Sequence, residues 1–258
     1  MLSKKNKIKY GLKIWSSDKS LFREAAELFY DKKIDFIELY IVPNSMDDIN
    51  IFEDFKKIPT AIHATHTEHG FDVFSLDDSK IKFFGNQIIK PANFLNSKFI
   101  VVHAEEGDSK EIFKKNIEKI NDSRMLIENL PQKSLEGNDC FASSYLQLKF
   151  IKDCGFNFCF DFSHAIKSAI SQKIDYKEFI EKLIKELSPN YFHICNGKLD
   201  NDRDEHLDLF DGDFDIKWIK SILVKLSEKK DVYLVFETPK GKKGLKNDLK
   251  NINYFCSL

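Results

Sequence analysis

Eight short apolar runs rich in β-forming residues recur along the 258-residue chain, and this pattern constrains the fold more than any other feature. Near-continuous apolar strands are typical of a parallel sheet that is buried on both faces. Longer segments with helical periodicity separate the runs, as strand–helix alternation requires. The runs cover residues 8–14, 35–42, 60–64, 98–104, 124–130, 156–162, 191–196 and 232–238.

The segments between the runs repeat apolar residues every three or four positions, which indicates amphipathic helices. Ser109 is the expected N-cap of one helix, and Asp18 or Ser20 that of the first. Eight strand–helix units predict an α/β fold, a single (β/α)8 TIM barrel, with an open doubly wound sheet as the alternative. Residues 11–20 lack the GxGxxG pattern of a dinucleotide-binding turn. We expect residues 1–258 to form one domain.

Composition narrows the class of protein further. The formal net charge of −1 gives no global basic field for nucleic acid. Five cysteines without a CxxC pair indicate reduced thiols, and no apolar stretch reaches the roughly 20 residues of a membrane span. We therefore expect a cytoplasmic protein without a membrane partner, and a homo-oligomer is possible.

Acidic residues and histidines follow the apolar runs at or near their carboxyl ends, from the second run to the eighth. In a (β/α)8 barrel these ends meet at one rim, where the chemistry is carried out. Several carboxylates at one rim would repel one another, and bound divalent cations remove that repulsion. Imidazole and carboxylate groups suit zinc, manganese or cobalt. These residues are Glu38, His63, His103, Glu128, Asp161, His193 and Glu237.

Each of these residues also has a structural explanation. A single histidine at a strand end is more often a packing residue than a ligand. Asp161 could cap the following helix, and Glu38 could face the barrel interior and pair with a lysine. The joint pattern is what favours a metal centre.

The segments after the sixth and seventh runs add candidates of the same kind. His164 follows Asp161 by three residues, and Asp204 and His206 are two apart in an extended segment. A solvated loop would account for Asp204 alone. The histidines indicate instead that the loop folds back over the rim and adds ligands beside His193.

Six motifs spread over most of the chain resemble those of the xylose-isomerase-like TIM-barrel superfamily. They are IHA, VVHAEEG, IENLP, CFDFSHA, HICNGK with DEHLDLFDGDFD, and VFETP. The superfamily includes sugar and sugar-phosphate isomerases and epimerases and the endonuclease IV-like enzymes of AP endonuclease family 2. The resemblance implies a divalent-metal-dependent enzyme with one to three ions per chain.

The resemblance to endonuclease IV implies three zinc ions, with Glu128 bridging two of them. The implied ligand sets are His63, His103 and Glu128 for the first ion, Glu128, Asp161, His193 and Glu237 for the second, and His164, Asp204 and His206 for the third.

The resemblance to isomerases and epimerases implies one ion in the second set, with Glu128 and Glu237 exchanging a proton with the substrate. Residues 13–20 lack the histidine and glycines of the nucleases, and residues 42–48 are acidic. The sequence therefore favours an isomerase or epimerase of a sugar or sugar phosphate. A zinc phosphoesterase acting on abasic-site DNA is the alternative, and only there would nucleic acid be a partner. A non-catalytic metal-binding barrel is a third hypothesis.

Two further residues are candidates for binding the substrate. Glu38 lies on the second run, and Lys240 follows the eighth in a glycine- and lysine-rich loop. Lys242 and Lys243 belong to the same loop, which could receive a phosphate group. A solvated lysine-rich loop explains these residues equally well.

Overall fold

The computed structural model describes residues 7–46, 48–134, 136–240 and 244–258, and these form a closed barrel of eight parallel strands. Each strand pairs with its neighbours in sequence, and the first pairs with the eighth. The predicted (β/α)8 fold is therefore confirmed. The strands are β1 (Ile8–Trp15), β2 (Phe36–Tyr40), β3 (Thr60–His63), β4 (Phe99–His103), β5 (Met125–Glu128), β6 (Asn157–Asp161), β7 (Tyr191–Ile194) and β8 (Val232–Phe236).

The register of the strands aligns the predicted polar residues. His103 on β4 lies opposite Glu128 on β5, and Asp161 on β6 lies opposite His193 on β7. His103, Glu128 and Asp161 are the last residues of their strands, and His193 is the third of four in β7, so these four side chains lie near the carboxyl ends of the strands.

Nine α-helices follow the strands or lie in the connections of the described chain. Ser109 caps one of them as predicted, since its hydroxyl accepts from the main-chain N–H of Ile112. The capping prediction for the first helix is wrong: a 3-10 turn at Lys19–Leu21 precedes that helix, and Asp18 makes no side-chain cap bond. The helices are α1 (Phe22–Tyr30), α2 (Asp78–Phe84), α3 (Lys90–Phe94), α4 (Lys110–Ile117), α5 (Tyr145–Asp153), α6 (Phe162–Ser171), α7 (Tyr176–Leu187), α8 (Ile216–Ser227) and α9 (Lys246–Ser257).

Aromatic side chains fill the amino-terminal half of the barrel interior. The ring of Phe99 contacts Tyr191 and Tyr233 edge-on, with centroids 5.0 and 4.9 Å apart. Phe36 packs on the same two tyrosines and fills space that a side chain at Gly11 would need, because a Cβ there would lie 2.4 Å from the Phe36 ring. We call these four rings the aromatic floor. Among the described residues, no helix is long and apolar enough to cross a membrane.

Candidate metal centre

A cavity of about 1200 Å³ opens above the carboxyl ends of the strands. Its walls include four of the predicted histidines and Glu237. Acidic and imidazole donors form three clusters at this end of the barrel. Two of these clusters, one of His63, His103 and Glu128 and one of His164, Asp204 and His206, have all their donor atoms close enough together to surround one ion. The histidines on the wall are His63, His103, His164 and His206.

The first cluster consists of His63, His103 and Glu128. The two Nε2 atoms lie 3.3 and 3.1 Å from Oε2 of Glu128. Ligands about 2.0–2.1 Å from a tetrahedral ion are about 3.3 Å apart, so these donors already have the spacing of a coordination shell. Nε2 of His63 and Oε2 of Glu128 are buried and have no hydrogen-bond partner among the described residues.

The second cluster consists of Glu128, Asp161, His193 and Glu237. Nδ1 of His193 lies 2.9 Å from Oε1 of Glu128 and 2.8 Å from Oε1 of Glu237. One oxygen of Asp161 accepts from the main-chain N–H of His164 at 2.8 Å, so this residue does cap α6. Its other oxygen is buried without a partner in the described part of the chain. Glu128 thus connects the first and second clusters through its two oxygens.

The third cluster consists of His164, Asp204 and His206. Oδ2 of Asp204 lies 3.2 Å from Nε2 of His164 and 2.6 Å from Nε2 of His206. The loop after β7 therefore folds back over the rim, as its sequence predicts. His206 has a φ of 49°, in the left-handed region that a non-glycine residue adopts only when its surroundings hold it there.

Hydrogen bonds to the outer ring nitrogens orient three of these histidines. In His63, His164 and His206, Nδ1 lies 2.8–3.0 Å from a main-chain carbonyl oxygen. A carbonyl only accepts, so Nδ1 carries a proton, and Nε2 is the nitrogen that faces the cluster and would present its lone pair to an ion. This is the arrangement that metal-binding histidines use to fix their tautomer.

Glu38 lies beneath His193 and is fully buried. Its Oε2 atom lies 2.8 Å from Nε2 of His193 and accepts from the hydroxyl of Tyr191 at 2.6 Å. A carboxylate in this position orients the imidazole whose other nitrogen faces the second cluster. The structure thus separates Glu38 from the cavity by His193, and its role in substrate binding stays a prediction.

The buried carboxylates of the centre require positive charge close by. Burial raises the pKa of Glu128, but His193 and His103 outweigh burial and hold that pKa well below its usual value. Burial lowers the pKa of His206, yet Asp204 raises it to about 10. Protonated imidazoles thus balance the carboxylates in the ion-free protein, and divalent ions would replace those protons. In the first and third clusters the donor types and their spacing fit divalent ions, and in the first cluster so do the unpartnered buried atoms of His63 and Glu128.

Lys240 lies at the mouth of the cavity, but its ammonium is directed towards α9. It pairs with Asp248 and donates to the main-chain oxygen of Lys13 at 2.5 Å. Its predicted contact with substrate therefore stays a prediction. Lys242 and Lys243 lie outside the described residues.

Sequence reasoning missed a lysine that holds the ligand-bearing loop. Lys167 on α6 is fully buried, three residues after His164. Its ammonium donates to the main-chain oxygens of Lys198 and Asn201 at 2.7 and 3.1 Å, and to Oε2 of Glu205 at 3.0 Å. These bonds fix the segment that carries Asp204, so Lys167 acts as a positioning residue for the third cluster.

Replacing Lys167 with methionine is expected to release this loop. Three partly buried acceptors lose a charged donor, so the free energy of unfolding should fall by about 2–3 kcal/mol. The ion at the third cluster should be lost while that at the first is retained. Urea denaturation and a zinc count measure both effects. Lys185→Met, at an exposed position on α7, is the control, and an unchanged zinc content in the Lys167 variant would contradict the positioning role.

Fold and site together define a class: a (β/α)8 barrel with a histidine- and carboxylate-rich centre at its carboxyl-terminal mouth. Among solved structures, the chain is similar to endonuclease IV from Thermus thermophilus, with a TM-score of 0.71 and 17% identity over 96% of this chain and 98% of that one. It is also similar to a xylose isomerase domain protein from Alicyclobacillus acidocaldarius, with a TM-score of 0.67 and 12% identity over 97% and 98% of the two chains.

A third similar structure is 3-keto-D-glucoside 4-epimerase from E. coli, with a TM-score of 0.66 and 12% identity over 98% of this chain and 100% of that one. No family model matches the sequence, and neither does any curated protein. The structural matches establish the (β/α)8 barrel fold of the chain.

Proposed function

We propose that the protein is a divalent-metal-dependent hydrolase of phosphoesters. The observation that carries this proposal is the complete third cluster of His164, Asp204 and His206 beside the first two. A single ion in the second cluster suffices for proton transfer in an isomerase, whereas phosphoryl transfer profits from ions on both sides of the reacting phosphorus. The sequence alone favours isomerisation, and the assembled third cluster supports hydrolysis.

Different side chains would hold the ions, orient the ligands and attract the substrate around the reacting phosphoryl group. Ions in the clusters would stabilise charge on the attacking and leaving oxygens. Glu128 holds the first and second clusters at a fixed separation, and Glu38 orients His193 from below. Arg203 and Lys133 line the cavity and supply positive charge for an anionic substrate.

The cavity and its surroundings support a small phosphoester or a nucleotide as substrate. A volume of about 1200 Å³ accommodates a ligand of that size. Trp15 lines the same cavity and is 47% exposed, so its ring can stack on a sugar or a base. The acidic residues in 42–48 disfavour close contact with duplex DNA, whose phosphates require basic partners.

Epimerisation of a sugar or sugar phosphate is the second candidate. It is favoured by one specific observation, since Glu128 and Glu237 both contact Nδ1 of His193 and so flank one ion position. Two carboxylates on opposite sides of a substrate carbon could remove and return a proton, as the acid/base roles of Glu128 and Glu237 require.

A paired assay distinguishes the two functions. The zinc-loaded protein is tested for hydrolysis of a phosphomonoester and phosphodiester panel that includes abasic-site DNA, and for exchange of solvent deuterium into a ketose panel. Hydrolysis is expected, and Asp204→Asn should lower it by about 10²-fold or more, because the third cluster loses its charged ligand. Asp200→Asn, exposed on the same loop, is the matched control. Deuterium exchange that survives Asp204→Asn, without hydrolysis, would establish the epimerase instead.

A further inference from the structure

Lys13 brings a positive charge into the candidate metal centre. It lies on β1 opposite Glu38 of β2, and its side chain is only 12% exposed. Its ammonium contacts Oε1 of Glu237 and lies 3.6 Å from Oε1 of Glu38. The ring centroid of Tyr40 is 5.7 Å away and covers another side of the ammonium. The ammonium is therefore held in place by two carboxylates and an aromatic ring.

The oxygen that Lys13 contacts is the same oxygen that faces the second cluster. Oε1 of Glu237 lies 2.8 Å from Nδ1 of His193, so an ion between those two groups would have to share this oxygen with the ammonium. A metal ion and the Lys13 ammonium that both contact one carboxylate oxygen would repel each other strongly in a buried site. Both ring nitrogens of His193 already face carboxylate oxygens, those of Glu38 and of Glu128 and Glu237.

The first and third clusters lack such a competitor. Among the described residues, no lysine or arginine is paired with Glu128 or Asp204, whose oxygens face imidazole nitrogens. Two of the three positions are thus open to divalent ions.

We propose that the ammonium of Lys13 takes the place of a divalent ion in the second cluster, so that the protein tightly binds two ions, one each in the first and third clusters. Lys13 is then a built-in monovalent cation that sets the metal content of the centre. The inference concerns only which positions ions occupy, and it does not depend on the reaction that the centre catalyses.

Counting ions in matched variants tests the proposal. The full chain is stripped with a chelator, reloaded with excess zinc, freed of loosely bound zinc on a desalting column and measured by mass spectrometry of the metal. The expected counts are two zinc ions for the wild type and three for Lys13→Met, which keeps an unbranched side chain but removes its charge. Lys13→Arg keeps a cation and should stay at two.

Lys9→Met is the control on the same strand. Lys9 pairs with Asp231 at the opposite end of the barrel, 2.7 Å away, and its removal should leave two ions. A wild-type count of one or three overturns the proposal, and so does a count of two in Lys13→Met. If that variant fails to fold, the same criterion applies to Lys13→Gln. Because the count needs no turnover, a negative phosphoesterase assay would reject the proposed function and leave this result unaffected.

Discussion

Glu128→Gln is expected to lower turnover by about 10²- to 10⁴-fold, the range for loss of an essential acid/base or charged group. Oε2 of Glu128 faces His63 and His103, and its Oε1 faces His193. An amide carries no charge and turns one N–H2 group towards these imidazoles, so it cannot hold an ion in the first cluster. Steady-state rates and a zinc count of the purified variant measure both losses.

The effect should be specific to the centre. Circular dichroism of Glu128→Gln in the presence of zinc should match that of the wild type, because the strand bonds of β5 do not involve the carboxylate. Glu27→Gln, at an exposed position on α1, is the control for the same chemical change. Wild-type turnover in Glu128→Gln would remove this residue from the mechanism.

Removal of the ions by a chelator should lower the melting temperature by a large margin. An ion present at 1,000 times its dissociation constant contributes about 4 kcal/mol to stability. For a domain of this size, each 1 kcal/mol shifts the melting temperature by roughly 2–4 °C, so one ion accounts for roughly 8–16 °C. The physical reason is that the buried carboxylates of the first and third clusters lose their counter-charges. Calorimetric scans with zinc and with EDTA measure the shift.

The chelator effect can be assigned to individual clusters. In Asp204→Asn, the chelator should lower the melting temperature only by the amount that the ion of the first cluster contributes. Re-addition of zinc should restore that amount. Magnesium should restore little, because imidazole ligands suit zinc rather than magnesium. Identical melting curves with and without EDTA would show that no tightly bound ion stabilises the fold.

The fold could be predicted from the sequence because the strands of a barrel are buried on both faces. The run at 124–130 contains β5, and its polar end is Glu128, directly opposite His103 in the register. The carboxyl ends of the strands in a closed parallel barrel meet at one rim. Residues at these ends were therefore predicted to lie close together although they are far apart in sequence. The same reasoning predicted Glu38 at the end of the second strand. It is instead the third residue of five in β2 and lies deeper in the barrel.

The two buried lysines could not be predicted in the same way. Lys13 and Lys167 lie within a strand and a helix of a lysine-rich chain, where a lysine is normally solvated. What buries Lys13 is Glu237, 224 residues away, and what buries Lys167 is a loop 31–38 residues further along. Such partners are known only from the folded chain. The sequence alone favours epimerisation over hydrolysis, because both use the same donor types and the assembly of the third cluster is known only from the folded chain.

The aromatic floor closes the barrel below the candidate metal centre, so the centre is reached from the upper opening. Phe36, Phe99, Tyr191 and Tyr233 fill the barrel below the three clusters, and the hydroxyl of Tyr191 reaches up to Glu38. Ions, reactant and products must then share the upper opening for both arrival and departure. A ligand lodged in that opening would trap the ions beneath it, so their escape to a scavenger in solution should slow as the ligand saturates the protein.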